Sequence, residues 1–355
     1  MDGERLTIAV TGLNATDNPG PGVAVIRALR EAPGFAGRIV GLAYDTLEPG
    51  IYARDLVPDV FLLPYPSQGI EALEARLRYI HGRIPLDAVI PTLDSELPSF
   101  IALEGTLSEL GIGTFLPTRE QFDLRAKAGL PALGERAGIL VPASRVVTDV
   151  EALYGIHREI PYPLYVKGLF YGAALACSVD EAVQAFHRVV AQWGLPVIVQ
   201  TRVDGEELDV VALGDGRGGL VGALPMRKTW LTDKGKGWAG VAIRDPELEA
   251  MAVRFMAATR WRGPCELEVM RDRQDRYHLL EVNPRFPAWV YLAAGAGLNL
   301  PWATALLATG REPPPLGPHR VGTMFVRISL DQIADIADFE RMATAGELGG
   351  GGRTG

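Results

Sequence analysis

Two apolar strands joined by a charged turn constrain this chain more than any other feature. They read CELEVM and YHLLEV, with RDRQDR between them, within residues 265–286. Side chains alternate between the two faces of a strand, so Glu266 and Glu268 share one face of the first strand. By the same alternation, Glu281 and Asn283 share one face of the second strand. A hairpin through the charged turn would bring Glu268 next to Glu281.

These carboxylates would need a counter-charge. Two adjacent carboxylates raise each other's pKa unless a cation lies between them, and Mg²⁺ prefers oxygen ligands of this kind. Asn283 adds a neutral oxygen, and the guanidinium of Arg285 could bind a phosphate through two hydrogen bonds. The alternative is a solvated strand face, which the apolar Leu279, Leu280 and Val282 disfavour. We expect a metal and phosphate site here.

A further apolar strand, PLYVKG, carries Lys167 directly into a loop that contains Gly168 and Gly172. A lysine at a strand end can reach phosphate oxygens, and glycines let the backbone approach them closely. An ordinary surface lysine is the alternative interpretation.

The segment VIVQTRVDGEELDVVALG places an apolar strand before an acidic turn and another strand. Its backbone could hydrogen-bond a purine edge, and a carboxylate of the turn could bind a ribose. An acidic hairpin turn without a ligand would have the same pattern.

The first 118 residues alternate apolar runs with helical patterns, which is typical of a parallel sheet with crossover helices. Beyond about residue 120 the pattern becomes α+β, with helical stretches predicted over 122–138 and 149–159. Asp94 and Glu96 follow the apolar run AVIPTL, at the strand end where open α/β sheets bind ligands. They could receive a substrate amine, or they could equally cap the following helix.

The basic segment MRKTWLTDKGKGWAG contributes Arg227, Lys228, Lys234 and Lys236, followed by Trp238. Its glycines and flanking strands predict a mobile loop that folds over phosphates or a substrate carboxylate. A merely solvated loop is the alternative.

Composition restricts the partners. The chain has 355 residues and a formal net charge of −8, so we expect no nucleic acid and no membrane as partners. The two cysteines, Cys177 and Cys265, lack the spacing of a zinc or redox motif, and a cytoplasmic location is expected. No segment has the pattern of a signal peptide or a membrane span.

Taken together and in their order along the chain, the segments described above resemble the ATP-grasp superfamily over residues 5–310. The resemblance is closest to its carbamoyl-phosphate-synthase-like and carboxylate-amine ligase members. The strongest motif is LLEVNPRF, similar to the family's iEiNpR. The resemblance implies an N-terminal parallel-sheet (pre-ATP-grasp) domain of α/β class, followed by an ATP-grasp fold of two α+β subdomains. The predicted boundaries are 1–120 for the N-terminal domain, 121–202 and 203–312 for the two subdomains, and 313–355 for an extension with one strand and a flexible Gly-rich tail.

The resemblance also implies roles for individual residues. The predicted metal ligands are Glu268, Glu281 and Asn283. The predicted nucleotide-binding residues are Lys127, Lys167, Gln200, Arg202, Val203 and Glu207. We assign catalytic roles to Arg285, Lys228 and Lys236. Substrate binding is assigned to Asp94, Glu96, Arg227 and Trp238.

Three departures from the family pattern concern the phosphate loop. Gly168 stands where a proline is usual, the short loop carries Leu169, Phe170 and Tyr171, and Ala126 replaces an acidic residue. The metal motif is intact, which favours an active enzyme.

The expected activity is an ATP-dependent ligase that forms an amide or peptide bond through an acylphosphate and releases ADP and phosphate. The expected cofactors are ATP and Mg²⁺, with Mn²⁺ as an alternative metal, and the partners are small-molecule or peptide carboxylates and amines. A homodimer is a further expectation. Two alternatives are a bicarbonate-dependent carboxylase or carbamoyl-phosphate-type enzyme, and an ATP-binding protein without catalysis.

Overall fold

The computed structural model describes residues 5–14, 19–169, 172–231 and 237–349, which contain three β-sheets. The first elements are β1 (Thr7–Thr11), α1 (Gly22–Arg30), β2 (Arg38–Ala43), β3 (Asp59–Leu62), α2 (Ile70–Arg83), β4 (Ala88–Ile90), α3 (Leu97–Ala102) and α4 (Glu104–Glu109). Their strands lie in the order β3, β2, β1, β4, and each neighbouring pair is parallel. The predicted parallel sheet is confirmed.

Both faces of this sheet are buried, each against its own apolar core. Successive side chains of a strand point alternately into the two cores. Val10 of β1 packs in the same core as Ile26 of α1. Ala9 faces the other side, in a core with Leu77 of α2 and Phe100 of α3. The near-continuous apolar runs of the sequence reflect this two-sided burial.

Helix α1 begins directly against the end of β1. A Cβ atom at Gly22 would lie 2.0 Å from the carbonyl oxygen of Thr11, so only glycine fits there. The Gly22 N–H donates to the carbonyl of Gly12 at 3.1 Å. This close approach fixes the loop before α1 at the carboxyl end of the parallel sheet.

The next part of the chain forms a four-stranded antiparallel sheet with strand order β5, β8, β6, β7. Its elements are α5 (Arg119–Asp123), α6 (Leu130–Ala137), β5 (Ser144–Val147), β6 (Leu164–Gly168), β7 (Ala173–Ala176), α7 (Val179–Trp193) and β8 (Val197–Thr201). Ser178 caps the start of helix α7, because its hydroxyl accepts a hydrogen bond from the Glu181 N–H.

Two predicted helices of this part are wrong in extent. The stretch 122–138 is divided between α5, a 3₁₀ turn at Lys127–Gly129 and α6, because Pro131 has no N–H to continue a preceding helix. The stretch 149–159 forms two short 3₁₀ segments that meet at Gly155. Helical spacing of apolar residues alone did not reveal these breaks.

The third sheet has six strands and forms the floor of the site described below. Its core elements are β9 (Gly205–Asp215), β10 (Leu220–Leu231), β11 (Gly237–Ala242), α8 (Pro246–Thr259), β12 (Arg262–Asp272) and β13 (Tyr277–Asn283). Strands β9 and β12 pair antiparallel along their whole length, and β12 forms the predicted hairpin with β13. One face of this sheet packs on α8 in an apolar core, which leaves the other face for polar side chains.

The rest of the chain packs against the first and third sheets. Its last elements are α9 (Tyr291–Gly295), α10 (Leu300–Ala308), β14 (Met324–Val326), α11 (Ile336–Ala345) and β15 (Glu347–Leu348). β14 is an edge strand beside β11, and β15 pairs with β3 of the parallel sheet. The expectation of a single strand in this extension is therefore wrong, because Gly346 at φ +68 turns the chain back and Leu348 is buried. Residues 350–355 of the Gly-rich tail lie outside the described residues.

No helix within the described residues combines the length and the apolar character needed to cross a membrane. The domain boundaries given above stay a prediction.

Candidate functional site

A cavity of about 670 Å³ lies where the three sheets meet. Asn14 and Gly20 from the loop before α1 line one side, and Leu93 to Ser95, after β4, line another. The polar face of the six-stranded sheet forms the floor. The predicted residues on its wall are Asp94, Lys127, Lys167, Lys228, Glu268, Glu281, Asn283 and Arg285.

Two carboxylates face each other on the floor of the cavity. Glu268 of β12 is directly opposite Glu281 of β13, and Glu266 is opposite Asn283. The Asn283 amide donates to Glu266 Oε2 at 3.1 Å and to Glu268 Oε1 at 2.9 Å. Burial and the facing Glu268 raise the pKa of Glu281. The juxtaposition expected from strand alternation is thus present.

The donor set of this pair fits a divalent cation. A cation between Glu268 and Glu281 would relieve the repulsion that raises the Glu281 pKa, and Asn283 adds an amide oxygen. Within the described ranges, no set of three Asp, Glu, His or Cys side chains is arranged to hold a metal ion. A site here would therefore combine two carboxylates, the amide and oxygens supplied by a substrate.

Two lysines reach the same cavity from the second part of the chain. Lys127 Nζ lies 3.1 Å from Glu281 Oε1, and the Lys127 side chain is 8% exposed. Lys167 Nζ donates to Gln200 Oε1 at 2.6 Å. Burial, and next the positive charge of Lys127, lower the pKa of Lys167 to about 8. Both lysines could be charge partners for a phosphate chain.

Lys228 of β10 also lines the cavity, where acidic neighbours surround it. Its Nζ lies 3.3 Å from Asp209 Oδ1 and 3.3 Å from Glu207 Oε2. Burial disfavours the charged lysine, but the nearby carboxylates outweigh burial and raise its pKa. The buried Asp209 was not assigned a role from sequence, although Glu207 and Asp209 alternate along a strand in the same way as Glu266 and Glu268.

Arg285 follows the second hairpin strand and contacts two acids from different parts of the fold. Its Nε lies 2.9 Å from Asp94 Oδ2, and its Nη1 lies 3.2 Å from Glu266 Oε2. Burial lowers the pKa of the guanidinium, but the two carboxylates raise it by a larger amount, so the net shift is upward. Glu266 was not assigned a role from sequence, and it also accepts a hydrogen bond from the Trp289 indole at 2.8 Å.

The four residues of the predicted adenine and ribose segment do not line the cavity themselves. Gln200 accepts a hydrogen bond from Lys167, and Glu207 lies next to Lys228; both lysines line the cavity. Arg202 is exposed and pairs with Asp204 at 2.6 Å. Their assignment to the nucleotide stays a prediction.

The remaining predicted residues have different locations. Glu96 is fully buried and accepts hydrogen bonds from the backbone N–H groups of Thr92 and Leu93, which precede α3. It stands at the N-cap position of α3, but its side chain accepts no hydrogen bond from that helix, so side-chain capping is not observed. Arg227 is exposed on β10, 3.8 Å from Glu206. Trp238 lines a neighbouring cavity. Lys234 and Lys236 lie outside the described residues, as do Phe170 and Tyr171.

The chain is similar to several known proteins. A family model described as ATP-grasp in the biosynthetic pathway with Ter operon matches residues 195–329. The carbamoyl phosphate synthase large chain, N-terminal section, of Methanopyrus kandleri is 26% identical over 267 residues, covering 68% of this chain. This chain spans 47% of that relative.

Two further matches cover most of their counterparts. The D-alanine–D-alanine ligase of Halorhodospira halophila is 27% identical over 237 residues, 60% of this chain and 74% of the ligase. The biotin carboxylase domain of Hydrogenobacter thermophilus 2-oxoglutarate carboxylase, solved with MgADP and bicarbonate, has a TM-score of 0.68 at 17% identity. That match covers 90% of this chain and 73% of the solved chain. The family model covers the hairpin motif, and these matches confirm that the chain resembles proteins of the ATP-grasp superfamily.

Proposed function

We propose that this chain is an ATP-dependent carboxylate–amine ligase that forms an amide bond through an acylphosphate. The observation that carries the proposal is the facing pair Glu268 and Glu281, with Lys127 and Lys167 on the wall of the same cavity. The site thus combines groups suited to a divalent cation with groups suited to phosphates. The match to a named D-alanine–D-alanine ligase supports amide formation.

The reaction proceeds in two balanced steps. A carboxylate oxygen of the first substrate attacks the γ-phosphorus of ATP, the bond from that phosphorus to the β,γ-bridging oxygen breaks, and ADP leaves. An amine nitrogen then attacks the acyl carbon, phosphate leaves with the carbon–oxygen bonding electrons, and the nitrogen loses a proton to solvent. Because phosphoryl transfer depends chiefly on positioning and charge neutralisation, no nucleophilic side chain is required.

The residues on the cavity wall divide this work. Lys127 and Lys167 bind ATP phosphates, and Arg285 binds the transferred phosphoryl group in exchange for its contact with Asp94. Mg²⁺ held by Glu268, Glu281 and Asn283, or Mn²⁺ in its place, would neutralise phosphate charge. Lys228 adds a fixed positive charge beside the pair. Four nearby carboxylates raise the pKa of Lys228, so the lysine stays protonated on the floor of the cavity.

The adjoining residues complete the proposal. Gln200, Arg202, Val203 and Glu207 are assigned to the adenine and ribose. The substrates are a carboxylate and an amine, each a small molecule or a peptide. The homodimer and the cytoplasmic location also stay predictions.

The test is ADP release from the purified chain with ATP, Mg²⁺ and pairs drawn from a panel of carboxylic and amino acids. We expect ADP and phosphate in equal amounts with an amide product, and a loss of about 100-fold or more in Glu281→Gln. Glu340→Gln, which alters an exposed acid of α11, is the matched control and should retain full activity. Release of AMP and pyrophosphate would overturn the acylphosphate route. ADP release that requires bicarbonate and no other substrate would favour the carboxylase alternative. Bicarbonate is a ligand in the solved neighbour.

A further inference from the structure

A second cavity of about 550 Å³ adjoins the first one. The two cavities share wall residues, among them Asn14, Ala288, Trp289 and Arg327. The rest of the second cavity is built by α1, β11, α9 and β14. Its lining is mainly apolar and aromatic, and it includes Val23, Ala24, Trp238, Tyr291, Leu292 and Phe325.

Arg327 occupies the junction of the two cavities. It directly follows β14, and its backbone N–H donates to the carbonyl of Trp238 at 3.0 Å, which extends the pairing with β11. Its side-chain Nε donates to the carbonyl of Gly237 at 2.9 Å. The guanidinium carbon lies 5.6 Å from the centre of the Phe325 ring. The backbone and ring contacts therefore hold the arginine in place.

The charge of Arg327 has no acidic counterpart in the part of the chain that the structure describes. Three other cations of this region, Lys127, Lys228 and Arg285, each lie within ion-pair distance of a carboxylate. A fourth, Lys167, donates to the Gln200 amide oxygen instead. Arg327 pairs with no aspartate or glutamate among the described residues, and burial lowers its pKa. A partly buried cation without an anion is costly, and a guanidinium binds a carboxylate through two parallel hydrogen bonds.

We propose that the second cavity binds the hydrocarbon part of a carboxylic acid substrate with an apolar or aromatic side chain, and that Arg327 binds its carboxylate. The volume is in the range of small-molecule pockets, and a mainly apolar lining with Arg327 at the junction of the two cavities matches this class of ligand. The other cation of the lining, Arg27, is exposed on α1, and its guanidinium carbon lies 4.0 Å from the centre of the Tyr291 ring. The carboxylate then lies where the second cavity meets the metal and phosphate groups of the first. This inference rests on the proposed ligase function for the reaction, and it assigns a role to the C-terminal extension.

The test is calorimetric binding of three probes to the full chain without nucleotide. The probes are 3-phenylpropanoate, its uncharged amide 3-phenylpropanamide, and inorganic phosphate. We expect the acid to bind at least about tenfold more tightly than the amide or phosphate. Equal binding of acid and amide would overturn the role of the charge, and equal binding of phosphate would show an anion site without an apolar component.

Variants separate the two parts of the pocket. Arg327→Gln should weaken binding of the acid at least about tenfold and leave the amide unchanged. Ala24→Phe, which fills the second cavity from α1, should weaken acid and amide alike. Arg341→Gln removes an equal charge from the exposed face of α11 and should change neither. Unchanged affinity in Arg327→Gln, with circular dichroism of the native fold, would overturn the inference.

ADP release separates this inference from the reaction on which it rests. Arg327-dependent binding of the acid without ADP release under any substrate pair would leave the pocket standing and overturn the ligase function. ADP release with an apolar acid whose KM is the same in Arg327→Gln would leave the ligase function standing and overturn the pocket.

Discussion

Arg285 Nε lies 2.9 Å from Asp94 Oδ2, and this contact joins the end of the parallel sheet to the loop after the acidic hairpin. The two side chains are 17% and 16% exposed, so the pair is largely shielded from solvent. A phosphate that binds Arg285 must compete with Asp94 for the guanidinium. The ion pair therefore couples ligand binding in the cavity to the contact between the two sheets.

Asp94→Asn should destabilise the chain, because Arg285 then keeps only one full ionic partner, Glu266. A shielded ion pair that loses one partner costs more than an exposed one, and we expect a loss of about 2 kcal/mol in the free energy of unfolding. The measurement is urea unfolding followed by circular dichroism.

The chain offers a matched control for this substitution. Arg119 Nε lies 3.0 Å from Asp123 Oδ2, but those side chains are 66% and 56% exposed. Asp123→Asn should therefore change the unfolding free energy by less than about 0.5 kcal/mol. Equal losses in the two variants would show that burial does not strengthen the Arg285 contact.

Lys228→Met should destabilise the chain by removing the charge that compensates Asp209. The Asp209 side chain is 2% exposed, and burial already raises its pKa. An uncompensated carboxylate at this position should cost about 3 kcal/mol in urea unfolding. The double variant Lys228→Met/Asp209→Asn removes both charges and should recover most of the loss. A double variant as unstable as Lys228→Met alone would contradict this explanation.

The hairpin could be predicted from sequence because all of its determinants are local. Strand alternation, the charged turn and the apolar residues of 277–282 lie within one short segment, and the structure has the expected pairing of Glu268 with Glu281. Asp209 belongs to the same acidic row, but only through the pairing of β9 with β12. Such a contact depends on sheet order, which alternation within one strand does not determine.

Asp94 and Glu96 show the same limit. Both follow one strand, and the sequence left substrate binding and capping equally open for them. In the structure Glu96 turns inward and accepts hydrogen bonds from Thr92 and Leu93, whereas Asp94 contacts Arg285. The position of Arg327 was not predicted either, because its place at the cavity results from the pairing of β14 with the distant β11.

Glu96 should make stability depend on pH. Burial raises its pKa to about 7, although hydrogen bonds from Thr11 and Tyr44 oppose this shift. The folded state therefore binds the proton more tightly than the unfolded chain does. The resulting stabilisation is complete below the unfolded pKa, about 4.5, and is lost as the pH rises through about 7.

Glu96→Gln removes this titration. From pH 5 to pH 8, the unfolding free energy of the original chain should fall by about 2 to 3 kcal/mol relative to the variant. Urea unfolding at pH 5, 6, 7 and 8 measures the difference. Glu135→Gln, at an exposed position of α6, should show no pH-dependent difference. A constant difference between Glu96→Gln and the original chain across this range would contradict a raised pKa.

The facing carboxylates should make thermal stability respond to a divalent cation even without nucleotide. A metal that binds only the folded state stabilises it by about 2.7 kcal/mol at one hundred times its dissociation constant. MnCl₂ or MgCl₂ should therefore raise the melting temperature of the original chain. Glu268→Gln keeps an acceptor for the Asn283 amide but loses one charge of the pair, so most of this rise should disappear. The exposed Glu340→Gln should respond like the original chain, and an equal rise in Glu268→Gln would place the cation elsewhere.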